Sequence, residues 1–558
     1  MKTKIFLPLA LCGALSVALT GCIEEVQPTD VISQEQLSSS VKAGSSTLAA
    51  IPSMMIFCNS DATNNHADFG YPAMMMMRDH MTNDMVCNAN GTNYDHFSPY
   101  EGNSLANNLA SVQIILNYYG KLIMTTNKAA GAFPADVEED AAKGCRAVAL
   151  AYRAMAYLDV ARWYEFLPND KHSSTVTWKN PETQQEENVD ILHLTYPIVT
   201  ENTTDQQAMH NPRATREEML KFIEGDLEYA AANIQYAPAE FKDFTYPDLA
   251  AVYGLYARLY MWVEQYDKAK EYADMAISLS GSPLTEEEWS NPKTGFNTPV
   301  GAWMWGMQLM PENRAVTTGI VNFTSWMSVE ASYGYASVSA RDIDVNMYKR
   351  IPNADFRKYS WCPMTFLLYN KMRLNVGTAA GDVAAVCGNY KLGAVKFRPN
   401  EGNMSDYRTA SSVAIPLMRV EEMHFISIEA QAHLNAAAGK QALENFMKTY
   451  RYNTYACNAS TQDDIIEEIV FQKRVELWGE GQTLWDIKRL NYSVDRGYMG
   501  TNWSQTYRFK TNGRPSWTNL VFVMTETNAN MSLVNNPNTR GDYPEIEDKE
   551  VNFNKKDW

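Results

Sequence analysis

The segment KRVELWGEGQTLWDIKRL, residues 473–490, contains the residues whose types and spacing come closest to those of a catalytic site. Glu476 and Glu480 are four residues apart and have two tryptophans beside them. Paired carboxylates near aromatic side chains are typical of glycoside hydrolases, which need a general acid and a second carboxylate as nucleophile or base. The first question is whether the two glutamates do chemistry or hold the fold together.

Geometry favours the structural interpretation. If one helix carries both glutamates, their Cβ atoms lie roughly 5–6 Å apart on one face, whereas catalytic carboxylates flank the bond that they cleave. Gly479 and Gly481 interrupt the helix and turn the chain so that Trp485 packs back. Basic residues close enough in sequence to neutralise the pair are Lys473, Arg474, Lys488 and Arg489. The segment is therefore predicted to be a helix–turn–helix brace.

Other catalytic motifs are missing from the sequence. There is no GxSxG elbow, no HExxH and no phosphate-binding GxxxxGK[ST]. His424 and His433 share a predicted helix, but nine residues separate them. The Met-rich stretch 69–86 is predicted to fill the core, with copper binding by its thioethers as the alternative. We expect no enzyme activity, no cofactor and no metal site; a catalytic site assembled from distant residues is the alternative.

The N-terminus has the features of a secreted lipoprotein. Basic residues precede a mostly apolar run that is shorter than the roughly 20 residues of a membrane span. The run ends in LTGC, residues 19–22, which resembles a bacterial lipobox with cleavage before Cys22. Glu24 and Glu25 resemble the acidic export signal of surface-exposed lipoproteins. We expect Cys22 to carry a lipid anchor in the outer membrane, with the protein facing the cell exterior.

The net charge is −17, and the sequence has no basic stripe. Phosphate contacts require clustered lysine and arginine side chains, so this composition argues against nucleic acid as a partner. The acidic balance also disfavours polyanionic glycans.

Much of the chain is predicted to form amphipathic helices. Apolar residues recur at helical spacing over 102–127, an Ala-rich helix is predicted over 138–168, and a Thr215–Glu218 capping box opens 214–234. Residues 250–283 match the 34-residue tetratricopeptide pattern, with small residues on two successive helices. Because one such repeat cannot bury its own faces, further helical pairs must pack on it. The fold class is predicted to be mainly α, a tetratricopeptide-type scaffold with a large, irregular, loop-rich insertion.

Several segments together resemble the SusD/RagB family of nutrient-binding outer-membrane lipoproteins. Residues 473–490 are similar to its pattern R-x-E-L-x-x-E-G-x-R-x-x-D-L-x-R, although Gln482 stands at the usual basic position. Residues 415–435 and 341–361 resemble two further family segments, and only the P-I-P-x-x-E motif near the C-terminus is missing. These signature residues are predicted to have a structural, bracing role. They are Arg474, Glu476, Glu480, Gly481, Trp485, Asp486 and Arg489.

The resemblance implies a receptor that captures a nutrient glycan and delivers it to a TonB-dependent transporter of the SusC type. A scaffold that binds peptides or another non-sugar nutrient is the main alternative, and a glycoside hydrolase is the third. The predicted organisation is a lipoprotein signal peptide (1–21), a lipidated tether (22–50), an N-terminal helical part (51–290), a ligand-binding insertion (291–415), a C-terminal helical part (416–500) and an irregular tail (501–558).

Sugar binding needs a flat aromatic platform with polar groups around it. Two loop regions, 93–103 and 322–342, place aromatic residues among small and polar ones. In the family, ligand-binding aromatics commonly come from these two regions. The candidates for ligand contact are Tyr94, Phe97, Tyr100, Trp326, Tyr333 and Tyr335. Trp303 and Trp305 lie in an apolar run and are predicted to belong to the core.

Overall fold

A computed structural model describes residues 41–58, 66–87, 105–363, 372–374 and 391–543. These residues form a mainly helical fold, which confirms the predicted fold class. The helices of the N-terminal half are α1 (Val41–Met55), α2 (Tyr71–His80), α3 (Ala110–Gly131), α4 (Asp140–Tyr164), α5 (Asp205–Ala208), α6 (Arg216–Asn233), α7 (Leu249–Trp262) and α8 (Tyr266–Leu279). The later helices are α9 (Glu286–Ser290), α10 (Arg314–Thr317), α11 (Phe323–Met327), α12 (Val345–Arg350), α13 (Tyr407–Ala410), α14 (Val420–Leu434), α15 (Ala436–Tyr450), α16 (Gln462–Glu476), α17 (Thr483–Leu490) and α18 (Met524–Ala529).

Helices α7 and α8, which cover the residues of the tetratricopeptide pattern, pack closely against each other. Ala269, Ala273 and Ala276 of α8 are completely buried, and Gly254 of α7 lies so close to Met418 that a Cβ atom would come within 2.2 Å of its sulfur. Helix α14 packs on α8, and α15 and α16 pack on α14. On the other side, α6 contacts both α4 and α7. Further helices therefore pack on both sides of the repeat, as its buried faces require.

Six short strands form three antiparallel pairs among the described residues. Strand β4 (Trp303–Gln308) pairs with β6 (Ala414–Arg419), and Trp303 and Trp305 are buried there, as predicted. This pair joins the insertion to the start of α14. The other pairs are β1 (Met85–Cys87) with β5 (Arg341–Ile343), and β2 (Thr175–Lys179) with β3 (Glu186–Asp190).

Local sequence signals locate several helix ends correctly. At the start of α6, the Thr215 side chain accepts the N–H of Glu218, and the Glu218 side chain accepts the N–H of Thr215, which completes the predicted capping box. Pro72 occupies the first turn of α2, and the four methionines that follow are buried in the core, as predicted. No described helix combines the length and apolar character that crossing a membrane requires.

Candidate functional site

The family-like segment is a helix, a turn and a second helix. Helix α16 ends at Glu476, and Glu480 lies in the turn before α17. The expectation that one helix carries both glutamates is therefore wrong. Gly479 and Gly481 adopt φ angles of +81° and +70°, a left-handed backbone that residues with a Cβ atom rarely adopt. These two glycines break the helix and let the chain fold back.

Glu476 is surrounded by three arginines. Its carboxylate lies 2.7 Å from Nη2 of Arg451 and 3.1 Å from Nη1 of Arg357, and Arg419 is 3.5 Å away. Burial alone raises the pKa of a carboxyl group, but these cations hold the pKa of Glu476 well below its usual range. The side chain has no exposed surface, so no substrate can reach it from solvent.

Glu480 completes the same cluster. It accepts hydrogen bonds from Nζ of Lys396 at 2.7 Å and from Nε of Arg419 at 2.9 Å. Although burial raises its pKa, Arg419 and Lys396 together lower it below the ordinary value. Arg419 thus links the two glutamates. The ion-pair cluster contains four cations, Lys396, Arg357, Arg419 and Arg451, and four carboxylates, Asp355, Glu421, Glu476 and Glu480.

This ion-pair cluster joins distant parts of the chain. Asp355, Arg357 and Lys396 come from the insertion, whereas Arg419 ends β6 and Arg451 follows α15. Equal numbers of opposite charges compensate each other away from water, and removing one member would leave a buried charge unpaired. The cluster therefore fastens the insertion to the helical scaffold.

The basic residues that flank the two glutamates in sequence have other partners. Lys473 lies 2.8 Å from Asp486, and Arg474 donates to Asp84 at 2.8 Å through Nε. Nζ of Lys488 donates to backbone carbonyl oxygens, including those of Arg162, Glu165 and Thr518. Arg489 pairs with Asp486 at 2.9 Å and with Glu429. The expectation that these residues neutralise Glu476 and Glu480 is wrong, because the cations that do so, three arginines and Lys396, come from other segments of the chain.

The turn of this segment also rests on α2. The Gly481 N–H donates to Oδ2 of Asp79 at 3.1 Å, and its carbonyl accepts from Nε of Arg78 at 2.8 Å. Trp485 packs edge-on against Trp163, with ring centroids 5.5 Å apart, and the Arg162 guanidinium lies 4.5 Å from its ring centroid. These contacts account for the glycine and tryptophan of the signature: the first allows close approach, and the second fills the space under α17.

Replacing Gly481 by alanine should destabilise the protein by about 1–3 kcal/mol more than replacing Gly500 by alanine. Both glycines have positive φ angles, +70° and +82°, so both variants bear the same conformational cost. A Cβ atom at Gly481 would lie 2.7 Å from the Met75 Cα, whereas Gly500 has open space around it. Urea denaturation followed by circular dichroism measures the difference; equal losses would show that the close approach to α2 contributes nothing.

Two of the predicted ligand-binding aromatics lie inside the protein. Trp326 has no exposed surface, and Tyr335 is 2% exposed. Their rings stack with centroids 3.9 Å apart, and the Arg341 guanidinium lies 4.7 Å from the Trp326 ring centroid. Neither ring has a face exposed to solvent on which a sugar could stack. A direct contact with ligand would require the residues packed around Trp326 and Tyr335 to move.

Tyr333 is placed differently, at the surface of the insertion. It is half-buried, its hydroxyl lies 2.7 Å from the Ser411 hydroxyl, and its ring centroid is 6.4 Å from that of Tyr407. Tyr407 is also half-buried, and Arg408 and Ser332, which are next to the two tyrosines in sequence, are exposed. The arrangement offers two partly exposed aromatic rings with exposed polar residues next to them in sequence, which suits binding of a polyhydroxylated ligand.

Sequence reasoning missed Tyr407. Its position in the polar stretch 400–412 of the insertion could have marked it as a candidate for ligand contact. Because 74 residues separate it from Tyr333, the sequence did not show that the two tyrosines are neighbours. Cys22, Tyr94, Phe97 and Tyr100 lie outside the described residues, as does the predicted signal peptide. Within the described ranges, no group of three or more histidine, cysteine, aspartate and glutamate side chains has the geometry to hold a metal ion.

Comparison with known proteins gives a family match and a fold match. The SusD family model matches residues 366–555, which include the helix–turn–helix segment. The fold resembles a SusD-like carbohydrate binding protein from Bacteroides vulgatus, with 21% identity, a TM-score of 0.65 and coverage of 90% of this chain and 98% of that one. No curated protein matches the chain.

Two further solved structures have a similar fold. A SusD superfamily protein from Bacteroides thetaiotaomicron is 16% identical, with a TM-score of 0.61 and coverage of 89% of this chain and 99% of that one. Surface glycan-binding protein A from Bacteroides uniformis is 14% identical, with a TM-score of 0.60 and the same two coverages. At such identities the likeness concerns the fold, and the ligand has to be argued from the site.

Proposed function

Because this chain is a SusD-like protein, we propose that it binds a nutrient glycan at the cell surface and delivers it to a TonB-dependent transporter of the SusC type. The observation that carries the proposal is the surface formed by Tyr333 and Tyr407 on the insertion. Partly exposed aromatic rings with adjacent hydrogen-bonding groups can stack on the apolar face of a sugar and bind its hydroxyl groups. The carbohydrate- and glycan-binding descriptions of two structural neighbours support the same ligand class.

The site supports binding more than catalysis. The paired carboxylates that first suggested hydrolysis are buried among arginines. Near the tyrosines, Asp406 caps α13, because its carboxylate accepts the N–H of Arg408 at 3.2 Å and the hydroxyl of Thr409 at 2.7 Å. A carboxylate engaged in this way holds the loop that carries Tyr407. We infer that the protein acts as a receptor.

The proposed location is the exterior of the outer membrane, with a lipid on Cys22. The lipobox-like LTGC sequence and the acidic residues after it support this location. A receptor anchored there meets polysaccharide before it reaches the transporter, which fits the proposed delivery role.

Replacing Tyr407 by alanine should weaken glycan binding about 2- to 13-fold, since one aromatic contact contributes roughly 0.5–1.5 kcal/mol. A glycan and peptide array identifies the ligand, and isothermal titration then measures the affinity. The matched control is Tyr236→Ala, because Tyr236 is a tyrosine that is 43% exposed on the scaffold. Equal affinities of both variants and the wild type would contradict the proposed site, and binding to peptides alone would favour the non-sugar alternative.

A further inference from the structure

A small cavity lies between α17 and the helices that pack around it. It has a volume of about 40 Å³, and residues of α4, α7, α14, α16 and α17 line it. One water molecule needs about 10–15 Å³, so the cavity has room for a few water molecules or one monatomic ion. Its lining reaches the surface at Arg216, which is half-buried, and at Glu264, which is exposed. A small solute can therefore enter from solvent.

Basic side chains outnumber acidic ones in the lining of this cavity. The basic residues are Arg162, Arg216, Arg258, Lys473, Lys488 and Arg489. The acidic residues are Glu165, Glu264, Glu422 and Asp486. Two buried carboxylates behind the lining, Asp159 and Glu429, bind Arg162 and Arg489. The charge balance of the cavity depends on how these carboxylates are shared.

The carboxylates do not neutralise all of the buried cations. Asp159 is shared between Arg78 and Arg162, at 3.3 and 2.6 Å, and Glu264 is exposed to water. Lys488 is 4% exposed, and among the described residues its Nζ donates only to backbone carbonyl oxygens. Burial lowers the pKa of Lys488 well below its ordinary value. The surroundings of the cavity therefore carry excess positive charge.

Three hydrogen-bond donors of the lining have no acceptor among the described residues. The first is the indole N–H of Trp485, whose side chain is only 7% exposed. Arg162 uses Nε and Nη2 for a backbone carbonyl and Asp159, and Arg258 uses the same two atoms for Glu422 and a backbone carbonyl. Nη1 of each arginine is left over. Buried donors of this kind need an acceptor.

The buried carboxylates of the lining are already engaged through both oxygens. Glu422 binds Arg258 at 2.7 and 2.6 Å. Both oxygens of Asp486 lie within 3.1 Å of Nζ of Lys473, and both oxygens of Glu165 accept hydrogen bonds. The lining thus has spare donors and spare positive charge, whereas its buried carboxylates are committed. An anion compensates both.

The N-terminus of α17 contributes a field of the same sign. Its N-cap residue, Gln482, lines the cavity, and no side chain caps this end of the helix. The first N–H groups of a helix carry a partial positive charge and attract anions. The helix end, the arginines and the indole N–H therefore favour the same kind of ligand.

We propose that this cavity binds a monovalent anion of the size of chloride, held by the indole N–H of Trp485 and the guanidinium groups of Arg162 and Arg258. The anion supplies the acceptor that these donors lack and the negative charge that Lys488 lacks. It joins α17 to α4 and α7, so that it stabilises the folded protein. The site shares no residue with the Tyr333–Tyr407 surface and does not depend on the proposed function.

Thermal unfolding of the purified full-length protein tests the site in solution. Sodium chloride replaces sodium gluconate, whose anion is too large for the cavity, at a constant ionic strength of about 0.2 M, so that screening stays the same. The melting temperature of the wild type should rise by about 1–3 °C, because a ligand that binds only the folded state stabilises it. Trp485→Phe keeps an aromatic ring but removes the indole N–H, and it should lose most of this rise.

The matched control is Trp303→Phe. Trp303 is also 7% exposed, and its indole N–H also has no acceptor among the described residues. It lies in β4 and does not line the cavity. Whatever this substitution does to stability, the rise of the melting temperature with chloride should be the same as in the wild type.

Crystals of the wild type grown in sodium bromide locate the ion directly. Bromide is close to chloride in size, and its anomalous scattering distinguishes it from water. A bromide peak is expected in the cavity, beside Trp485 and the two arginines. This measurement needs no variant, so it decides the question even if Trp485→Phe does not fold.

Three results would overturn the anion site. The first is a cavity that contains only water molecules in the bromide crystals. The second is a bromide peak together with a wild-type melting temperature that does not respond to chloride, which would mean binding at crystal concentration only. The third is an equal rise with chloride in Trp485→Phe and the wild type, which would place the stabilising anion elsewhere. Glycan binding enters none of these measurements, so each result leaves the proposed function as it stands.

Discussion

Replacing Glu476 by glutamine is expected to lower the free energy of unfolding by about 3–5 kcal/mol, the range for breaking a buried ion pair by removing one partner. Glutamine keeps the shape of the side chain and removes its charge. Arg451 and Arg357 then each lose a buried anionic partner that lies 2.7 and 3.1 Å away. Urea denaturation monitored by circular dichroism measures the change.

The matched control is Glu217→Gln in α6. Glu217 forms a salt bridge with Lys221 at 3.0 Å, and both side chains are more than 70% exposed. Surface pairs of this kind contribute about 0–1 kcal/mol. Similar losses for the two variants would show that burial of the ion-pair cluster has no energetic consequence. If the wild type released reducing sugar and folded Glu476→Gln did not, the hydrolase alternative would return.

The direction of the pKa shift of Glu476 determines how its contribution to stability changes at low pH. Its pKa is lower in the folded protein than in the unfolded chain. The stabilisation by this carboxylate is therefore present above its unfolded pKa of about 4.3 and is lost as the pH falls through the folded value. Because that value lies well below the ordinary range, Glu476 keeps its charge and its ion pairs with Arg451 and Arg357 in mildly acidic surroundings.

Sequence patterns predicted those parts of the fold that depend on neighbours along the chain. Helix periodicity, the Thr215–Glu218 capping box and the small residues of α7 and α8 each act within one or two helical turns. Such interactions are visible in a single sequence because their spacing is fixed by the helix. The mainly α scaffold was predictable for this reason.

The partners of Glu476 and Glu480 were not predictable in the same way. The flanking lysines and arginines were the obvious choice, yet Arg357, Lys396 and Arg419 lie 119, 84 and 61 residues away from the glutamates that they bind. Spacing along the chain contains no information about which distant cation fills a buried site. The two glycines of the turn were recognised as helix breakers, but the contact with Asp79 and Arg78 of α2 depends on tertiary packing.

The candidate binding surface was predictable only as a region. Trp326, Tyr333 and Tyr335 lie within ten residues of one another, and the sequence gives all three the same polar surroundings. In the fold the first and third stack in the interior, whereas Tyr333 reaches the surface beside Tyr407. Whether an aromatic residue in an irregular segment is exposed depends on the segments that pack on it, and local composition does not specify them.

Asp79 provides the second large expected effect, a loss of stability as the pH rises. It is 2% exposed, its Oδ2 accepts the Gly481 N–H, and its Oδ1 has no hydrogen-bond partner among the described residues. Burial, together with the nearby Asp84 carboxylate, raises the pKa of Asp79 to about 7. The protonated form is therefore favoured by folding, and the ionised form is penalised.

The sign of the pH dependence follows directly. The folded pKa of Asp79 is above the unfolded value of about 3.9, so its stabilising contribution is complete below pH 4 and is lost as the pH rises through 7. Asp79→Asn cannot ionise, and the decline in unfolding free energy between pH 4 and pH 8 should become smaller by up to about 4 kcal/mol. Denaturation at both pH values measures this difference. The control is Asp463→Asn, at an exposed position of α16, which should show the same decline in unfolding free energy as the wild type. If Asp79→Asn also showed the wild-type decline, Asp79 would ionise in the folded protein as it does in water. The turn before α17 would then be open to solvent.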